Sequence, residues 1–283
     1  SGTAVLTPIA GLAHRIRTAI GTLTSTERQI AQVFLADYPM LGFESLAVFA
    51  ERAGVSTTSV LRFLGKTGYQ GYSDFQEALK REVQDRLQSP TTQIDKERSW
   101  AGPSDLFAKF GDPLAADIRT FFSDLPVADF EALVDGLADP KRRIFLLGGR
   151  FSKVAAQYLY LHLRQVRAHV RLIEDPESGG ELLLDFGRRD LLLVFDFRRY
   201  QPDVVRFASL AHEAGCAIAL VTDPWLSPVS RIARPIICCA VDSPASPFDT
   251  IVPAIAFTEA LAAAVVKRMG DAGRARIASF DRV

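Results

Sequence analysis

The sequence predicts two folds in one chain. The first is an all-α N-terminal domain containing a helix-turn-helix. The second is an α/β domain with a five-stranded, parallel, doubly wound sheet. Three observations predict this. Residues 9–87 place their apolar side chains at helical spacing, the mark of amphipathic helices. Residues 88–104, QSPTTQIDKERSWAGPS, are polar, hold two prolines and interrupt every periodic pattern, as an interdomain linker does. Beyond them, short apolar runs alternate with helical stretches, the pattern of parallel strands joined by crossover helices. The expected division is therefore 1–87, a linker at 88–104, and 105–283.

The helices of the first domain follow in order. Ile9, Leu12, Ala13, Ile16 and Ile20 make one apolar face, and Gly21 ends it. Thr24 and Glu27 are spaced as a capping box, opening a helix to about Ala36 that carries Ile30, Ala31, Val33, Phe34 and Leu35. Tyr38-Pro39 closes it. A third helix is expected over 45–53, with Leu46, Phe49 and Ala50 inward. A short turn at Gly54 leads to Ser56 as N-cap and a helix from Thr57. Val60, Leu61 and Leu64 are expected to face the core. Ser56, Thr57, Thr58, Ser59, Arg62 and Lys66 remain as candidate DNA-binding residues. Short hydroxyl side chains let a helix enter a major groove, and Arg and Lys supply long donors to guanine edges or phosphates. An all-helical interaction module with a solvated polar face fits the same pattern. A further helix is expected over 73–87 with Ser73 as N-cap.

In the second domain, helices are expected over 106–122 and 127–138. Strands are expected at Arg143–Leu147, His169–Ile173, Leu191–Phe195, Ala217–Val221 and Ile236–Ala240. Helical stretches between them are Lys153–Arg167, Gly179–Phe186, Asp203–Ala214 and Ser227–Ala233, and a last helix spans 249–269. The stretch DLLLVFDFRRYQ, residues 190–201, is the most informative of these. Its apolar run reads as a strand buried on both faces. Asp196, Arg198, Arg199, Tyr200 and Gln201 then fall at the carboxyl end of the strand, where open α/β sheets bind ligands. Two adjacent guanidiniums there make an anion receptor, unless they pair with local carboxylates.

Lys plus Arg and Asp plus Glu both number 33, so nucleic-acid contact would need a local basic patch. Cys216, Cys238 and Cys239 show no pair spaced for zinc, and Cys238 and Cys239, in an apolar run, read as buried thiols. No metal and no cofactor is expected. No apolar run reaches the length of a membrane span, and no signal-peptide pattern is present, so a cytoplasmic setting is the expectation.

SVLRFLGKTGYQGYSDFQEAL, residues 59–79, resembles the helix-turn-helix of the RpiR family of bacterial transcriptional regulators. The C-terminal half resembles that family's sugar isomerase (SIS) domain. The resemblance implies a regulator of carbohydrate metabolism, bound to palindromic double-stranded operator DNA. It also implies an SIS domain that senses a phosphosugar and builds a homodimer or homotetramer. The family's first ligand turn has glycine at its first and third positions and serine at its fifth. Here the turn is Gly148-Gly149-Arg150-Phe151-Ser152, with Arg150 in place of the second glycine. The second turn is usually Ser-x-Ser-Gly-x-Ser/Thr, and here it is Asp196-Phe197-Arg198-Arg199-Tyr200-Gln201. Its serines and glycine are replaced, and Asp196 would repel an anion.

With a flavodoxin-type strand order, the two turns would converge on one cleft. Gly149, Arg150, Ser152, Asp196, Arg198, Arg199, Tyr200 and Gln201 are the candidate effector residues, suited to an anionic phosphosugar or sugar acid held by arginines. Ion pairing of those arginines with Asp196, in a cleft serving assembly alone, is the competing arrangement. Thr222-Asp223 and Ser246–Thr250 fall on the same side. An SIS-fold sugar-phosphate isomerase or binding enzyme is the alternative function, with Glu259 as its acid. His14, His162, His169 and His212 are scattered, and none falls in either turn to act as a base.

Overall fold

A computed structural model describes residues 12–19, 22–87, 102–239, 246, 248–280 and 282. The start of the first expected helix, Ala240, and linker residues 88–101 lie outside this set. The chain divides into two compact units, Ser1–Ser89 and Pro90–Val283.

The first unit is helical: α1 (Leu12–Ala19), α2 (Ser25–Ala36), α3 (Leu46–Arg52), α4 (Thr57–Lys66) and α5 (Tyr72–Leu87). The capping box forms as the spacing predicts, with Thr24 and Glu27 each bonding the other's backbone N–H. Phe34, Phe49, Phe63 and Phe75 are fully buried, with Phe34 stacked on Phe49 at 5.7 Å and edge-on to Phe75 at 5.6 Å. Gly42 admits this packing, since a Cβ there would lie 2.4 Å from the Leu79 side chain. The turn between α3 and α4 depends on Gly54, whose φ of +64° is the left-handed conformation glycine adopts freely. Gly54 N–H then bonds the Glu51 carbonyl, and Val55 N–H reaches back to Ala50, satisfying carbonyls at the end of α3.

Two expectations are corrected here. On α4 the inward stripe is Val60, Phe63 and Leu64, not Leu61, which is 40% exposed. The i, i+3, i+4 spacing from Val60 picks out Phe63 and Leu64 and leaves Leu61 off the stripe. Ser73 is not the N-cap of α5, because the helix already begins at Tyr72. Asp74 accepts the Gln70 N–H at that end.

Among the described residues, the second unit begins with α6 (Pro103–Asp124), which takes in the last residues of the expected linker, and α7 (Val127–Ala138) follows. Then come β1 (Arg143–Gly148), α8 (Lys153–Val166), β2 (Val170–Ile173), β3 (Asp190–Asp196), α9 (Pro202–Glu213), β4 (Ala217–Thr222), β5 (Ile236–Cys238) and α10 (Val252–Phe280). The strands form one parallel sheet in the order β2-β1-β3-β4-β5. Alternation along each strand splits the core in two. Ile144, Leu146, Leu191, Leu193 and Phe195 pack with α7, α8 and α10, while Phe145, Leu147, Leu192 and Val194 pack with α9.

Gly179–Phe186 and Ser227–Ala233 were expected as helical stretches. They contain 3-10 turns at Ser178–Asp185 and Pro228–Arg231. The last helix runs past Met269 to Phe280, with a break at Gly270, where φ is +56°. Cys216 and Cys239 are buried free thiols and Cys238 is half-buried. No helix among the described residues is long and apolar enough to cross a membrane.

Candidate functional site

Two surfaces carry the candidate residues, one in each unit. On α4 the outward face is Thr57, Thr58, Leu61, Arg62, Gly65 and Lys66, a continuous strip at helical spacing. Ser56 caps the helix by accepting the Ser59 N–H at 3.2 Å, and the two hydroxyls bond each other at 2.9 Å. Lys66 is held differently from Arg62. Its ammonium donates to Glu27 Oε2 at 2.9 Å and to the Thr22 carbonyl at 3.3 Å. The Lys66 bond and the Thr24 N–H hold the Glu27 carboxyl below the usual carboxylate range. Lys66 thus ties the C-terminal end of α4 to the start of α2.

In the second unit, strand order 2-1-3-4-5 reverses direction between β1 and β3, so the turns after these strands meet at the topological switch point. They border a cavity of about 490 Å³ lined by Gly149, Arg150, Ser152, Asp196, Arg198, Arg199 and Gln201. Phe151, Val154, Phe197, Phe248, Asp249 and Ile251 complete the lining. Of the expected effector residues, only Tyr200 turns away, donating its hydroxyl to buried Asp223 at 2.7 Å.

The β1 turn is fixed by close packing. A Cβ on Gly148 would stand 2.4 Å from Lys153 Cα, so no other residue fits there. Ser152 is buried, and its hydroxyl donates to the Phe195 carbonyl at 2.6 Å while accepting the Gly149 N–H at 2.9 Å. That N–H also reaches the Phe195 carbonyl at 3.1 Å. Ser152 therefore stitches the first turn to the end of β3.

Asp196 is buried and accepts the Ser227 hydroxyl and the Gln201 backbone N–H. Burial pushes it up to about 7 despite those bonds, so near neutral pH it is only partly charged. This weakens the anion repulsion expected from the sequence. No arginine pairs with it among the described residues. Arg198 instead makes a two-point ion pair with Asp249, Nε to Oδ2 at 2.9 Å with a second bond from Nη2 to Oδ1. The Arg198 guanidinium also stacks 4.6 Å from the centre of the Trp225 ring, a cation–π contact.

Arg199 stands where the family's turn has glycine, and it keeps a glycine's conformation, with φ +62°. A non-glycine residue there costs on the order of 1 kcal/mol. Arg199 and Arg150 are exposed and make no ion pair among the described residues, although Arg150 lies over the Phe151 ring at 5.7 Å.

Three parts of this site escaped the sequence reading: the Asp249 partner, the Trp225 platform and the aromatic lining. Asp249 and Phe248 lie in a segment expected on the ligand side, but the pairing spans 51 residues and leaves no local pattern. Glu259 lies away from the cavity and accepts the Tyr158 hydroxyl at 2.9 Å. The described residues contain no cluster of His, Cys, Asp or Glu able to hold a metal.

Comparison with known proteins agrees with both halves. The family model for the rpiR-family helix-turn-helix domain matches residues 10–86, and that for the SIS domain matches residues 136–264. An HTH-type transcriptional regulator of Providencia stuartii is 24% identical over 75% of this chain and 74% of its own. The HTH-type transcriptional regulator GlvR of Bacillus subtilis is 28% identical over 65% of this chain, which spans 64% of that relative. The Vibrio vulnificus NanR protein, solved in complex with ManNAc-6P, shares the fold with a TM-score of 0.53 at 16% identity, over 96% of this chain and 97% of its own. With an rpiR-type helix-turn-helix ahead of a parallel five-stranded SIS domain, the chain belongs to the RpiR family of HTH-type transcriptional regulators.

Proposed function

We propose that the chain reads a palindromic operator through α4 as a homodimer or homotetramer, and that an anionic metabolite in the cavity between β1 and β3 modulates this binding. A phosphosugar or sugar acid is the class this reading starts from. NanR, of the same fold, was solved with a sugar phosphate. One observation carries the effector assignment. Arg199 holds an exposed guanidinium at a position whose backbone favours glycine, with Arg150 lining the same cavity. A strained backbone retained under a cavity-lining cation supports a functional role for that side chain. On the DNA side, Thr57, Thr58 and Arg62 reach base edges or phosphates, Ser56 and Ser59 set the helix N-terminus, and Lys66 adds charge near the backbone.

Effector linkage is the test. Operator affinity is measured by mobility shift at fixed salt, with and without a panel of hexose phosphates, pentose phosphates and sugar acids. An active compound should shift the affinity about 5–150-fold, the usual range of allosteric coupling, and Arg199→Gly should abolish the shift. If none of these compounds acts, the phosphosugar or sugar-acid assignment fails. If one acts equally on Arg199→Gly, Arg199 loses its role.

A further inference from the structure

We infer that the cavity selects an anion with an apolar body, such as an aromatic or aliphatic carboxylic acid or its phosphate counterpart, over a polyhydroxylated sugar phosphate. This rests on the cavity being the effector site, as proposed above, and departs from the sugar class with which that reading starts.

A phosphate loop works by offering unbonded backbone N–H groups and hydroxyls to the ligand. Here several of these groups, though not the Arg150, Phe151 and Ser152 N–H groups, are committed within the protein. The Gly149 N–H is held by the Ser152 hydroxyl and the Phe195 carbonyl, and the Ser152 hydroxyl donates to that same carbonyl. The Gln201 N–H goes to the Asp196 carboxyl, which also receives the Ser227 hydroxyl. Asp196 thus supplies from within the chain the acceptor that a ligand phosphate would otherwise be. Arg198 is taken by Asp249, and the Gln201 amide donates to the Arg199 carbonyl at 2.8 Å. The guanidiniums of Arg150 and Arg199, with the N–H groups of Arg150, Phe151 and Ser152, are left for the anionic head of a ligand, and nothing comparable is left for a ring of hydroxyls along the apolar wall.

The rest of the wall is hydrocarbon: Phe151, Val154, Phe197, Phe248 and Ile251. Seating a polyol against it would strip water from hydroxyls that find no new partner, which is unfavourable. An alkyl or aryl group placed there gains from the same desolvation. A volume near 490 Å³ is within the range of small-molecule sites.

Calorimetry on the full chain tests this with four probes at pH 7: 4-phenylbutyrate, octanoate, glucose 6-phosphate and gluconate. At least one of the two apolar acids should bind about tenfold or more tightly than either sugar compound, consistent with burial of two or more methylene equivalents. Arg199→Gly should lose that binding without losing the fold, since glycine suits the backbone there. Phe151→Ser, at an exposed position, should narrow the gap between the two classes. Equal or tighter binding of glucose 6-phosphate or gluconate would overturn the inference and leave the effector site standing. Binding of an apolar acid that survives Arg199→Gly would also overturn it, because the anion would then be held elsewhere. Failure of all four probes to bind would overturn this inference and count against the effector reading as well.

Discussion

Replacing Asp249 by alanine strips the Arg198 guanidinium of its two-point partner and leaves a cation whose side chain is only 3% exposed. At an effective dielectric near 20, two unit charges about 4 Å apart attract by about 4 kcal/mol. Removing one partner of a buried pair costs about 3–5 kcal/mol. Asp249 is itself 27% exposed, so water reaches the pair and the lower end applies. The expected loss is about 3 kcal/mol. The Trp225 ring keeps its cation–π contact but cannot replace a carboxylate. Denaturant unfolding followed by tryptophan fluorescence measures the loss, because Trp225 reports directly on the stacked guanidinium. The double variant Arg198→Met/Asp249→Leu removes both members of the pair and should recover part of that loss, although it takes the Arg198 charge away from buried Asp223. A coupling of about 2 kcal/mol or more between the two positions is then expected from the cycle. If Asp249→Ala costs less than about 0.5 kcal/mol, Arg198 is not anchored by Asp249.

Three further outcomes follow from the same geometry. Burial pushes Asp196 up to about 7 and Asp223 up to about 6, so the folded protein holds protons that the unfolded chain releases near pH 4. Stability should therefore fall as pH rises from about 4 to about 7 and level off above. Asp196→Asn should flatten the upper part of that fall, and an unfolding curve parallel to the natural protein's over this range would clear Asp196 of the effect. Lys66→Ala removes the tie to Glu27 and should lower the stability of the helical unit by about 1 kcal/mol; an unchanged melting temperature would show the tie to be idle. Gly148→Ala should cost more than about 2 kcal/mol, since its Cβ meets backbone rather than a movable side chain, and an undisturbed melt would contradict the packing described.

The sequence revealed most where its signals are local. Leu191–Phe195 reads as a two-sided buried strand because no polar residue interrupts it, and it lies at the centre of the sheet between β1 and β4. Thr24 and Glu27 announce their cap through spacing alone. The site was legible as a location, since parallel strands must end at a common edge and the β1 and β3 turns meet there. Its chemistry was not. Whether Arg198 binds a ligand or a neighbour depends on Asp249, which only the fold brings near. Whether Asp196 repels an anion depends on burial, which raises its affinity for a proton. Leu61 was misplaced because three hydrophobic residues of α4, Val60, Leu61 and Leu64, share a plausible stripe until Phe63 is seen to displace Leu61.

The most direct test of the account is a mobility-shift titration at fixed salt comparing duplex from the gene's own upstream region with random duplex, for the natural protein and for Arg62→Ala. The natural protein should clearly prefer the upstream duplex. Arg62→Ala should reduce that preference by about 1–3 kcal/mol if the guanidinium meets a base edge. Equal affinity of the natural protein for both duplexes, or full preference retained by Arg62→Ala, would contradict operator reading through α4.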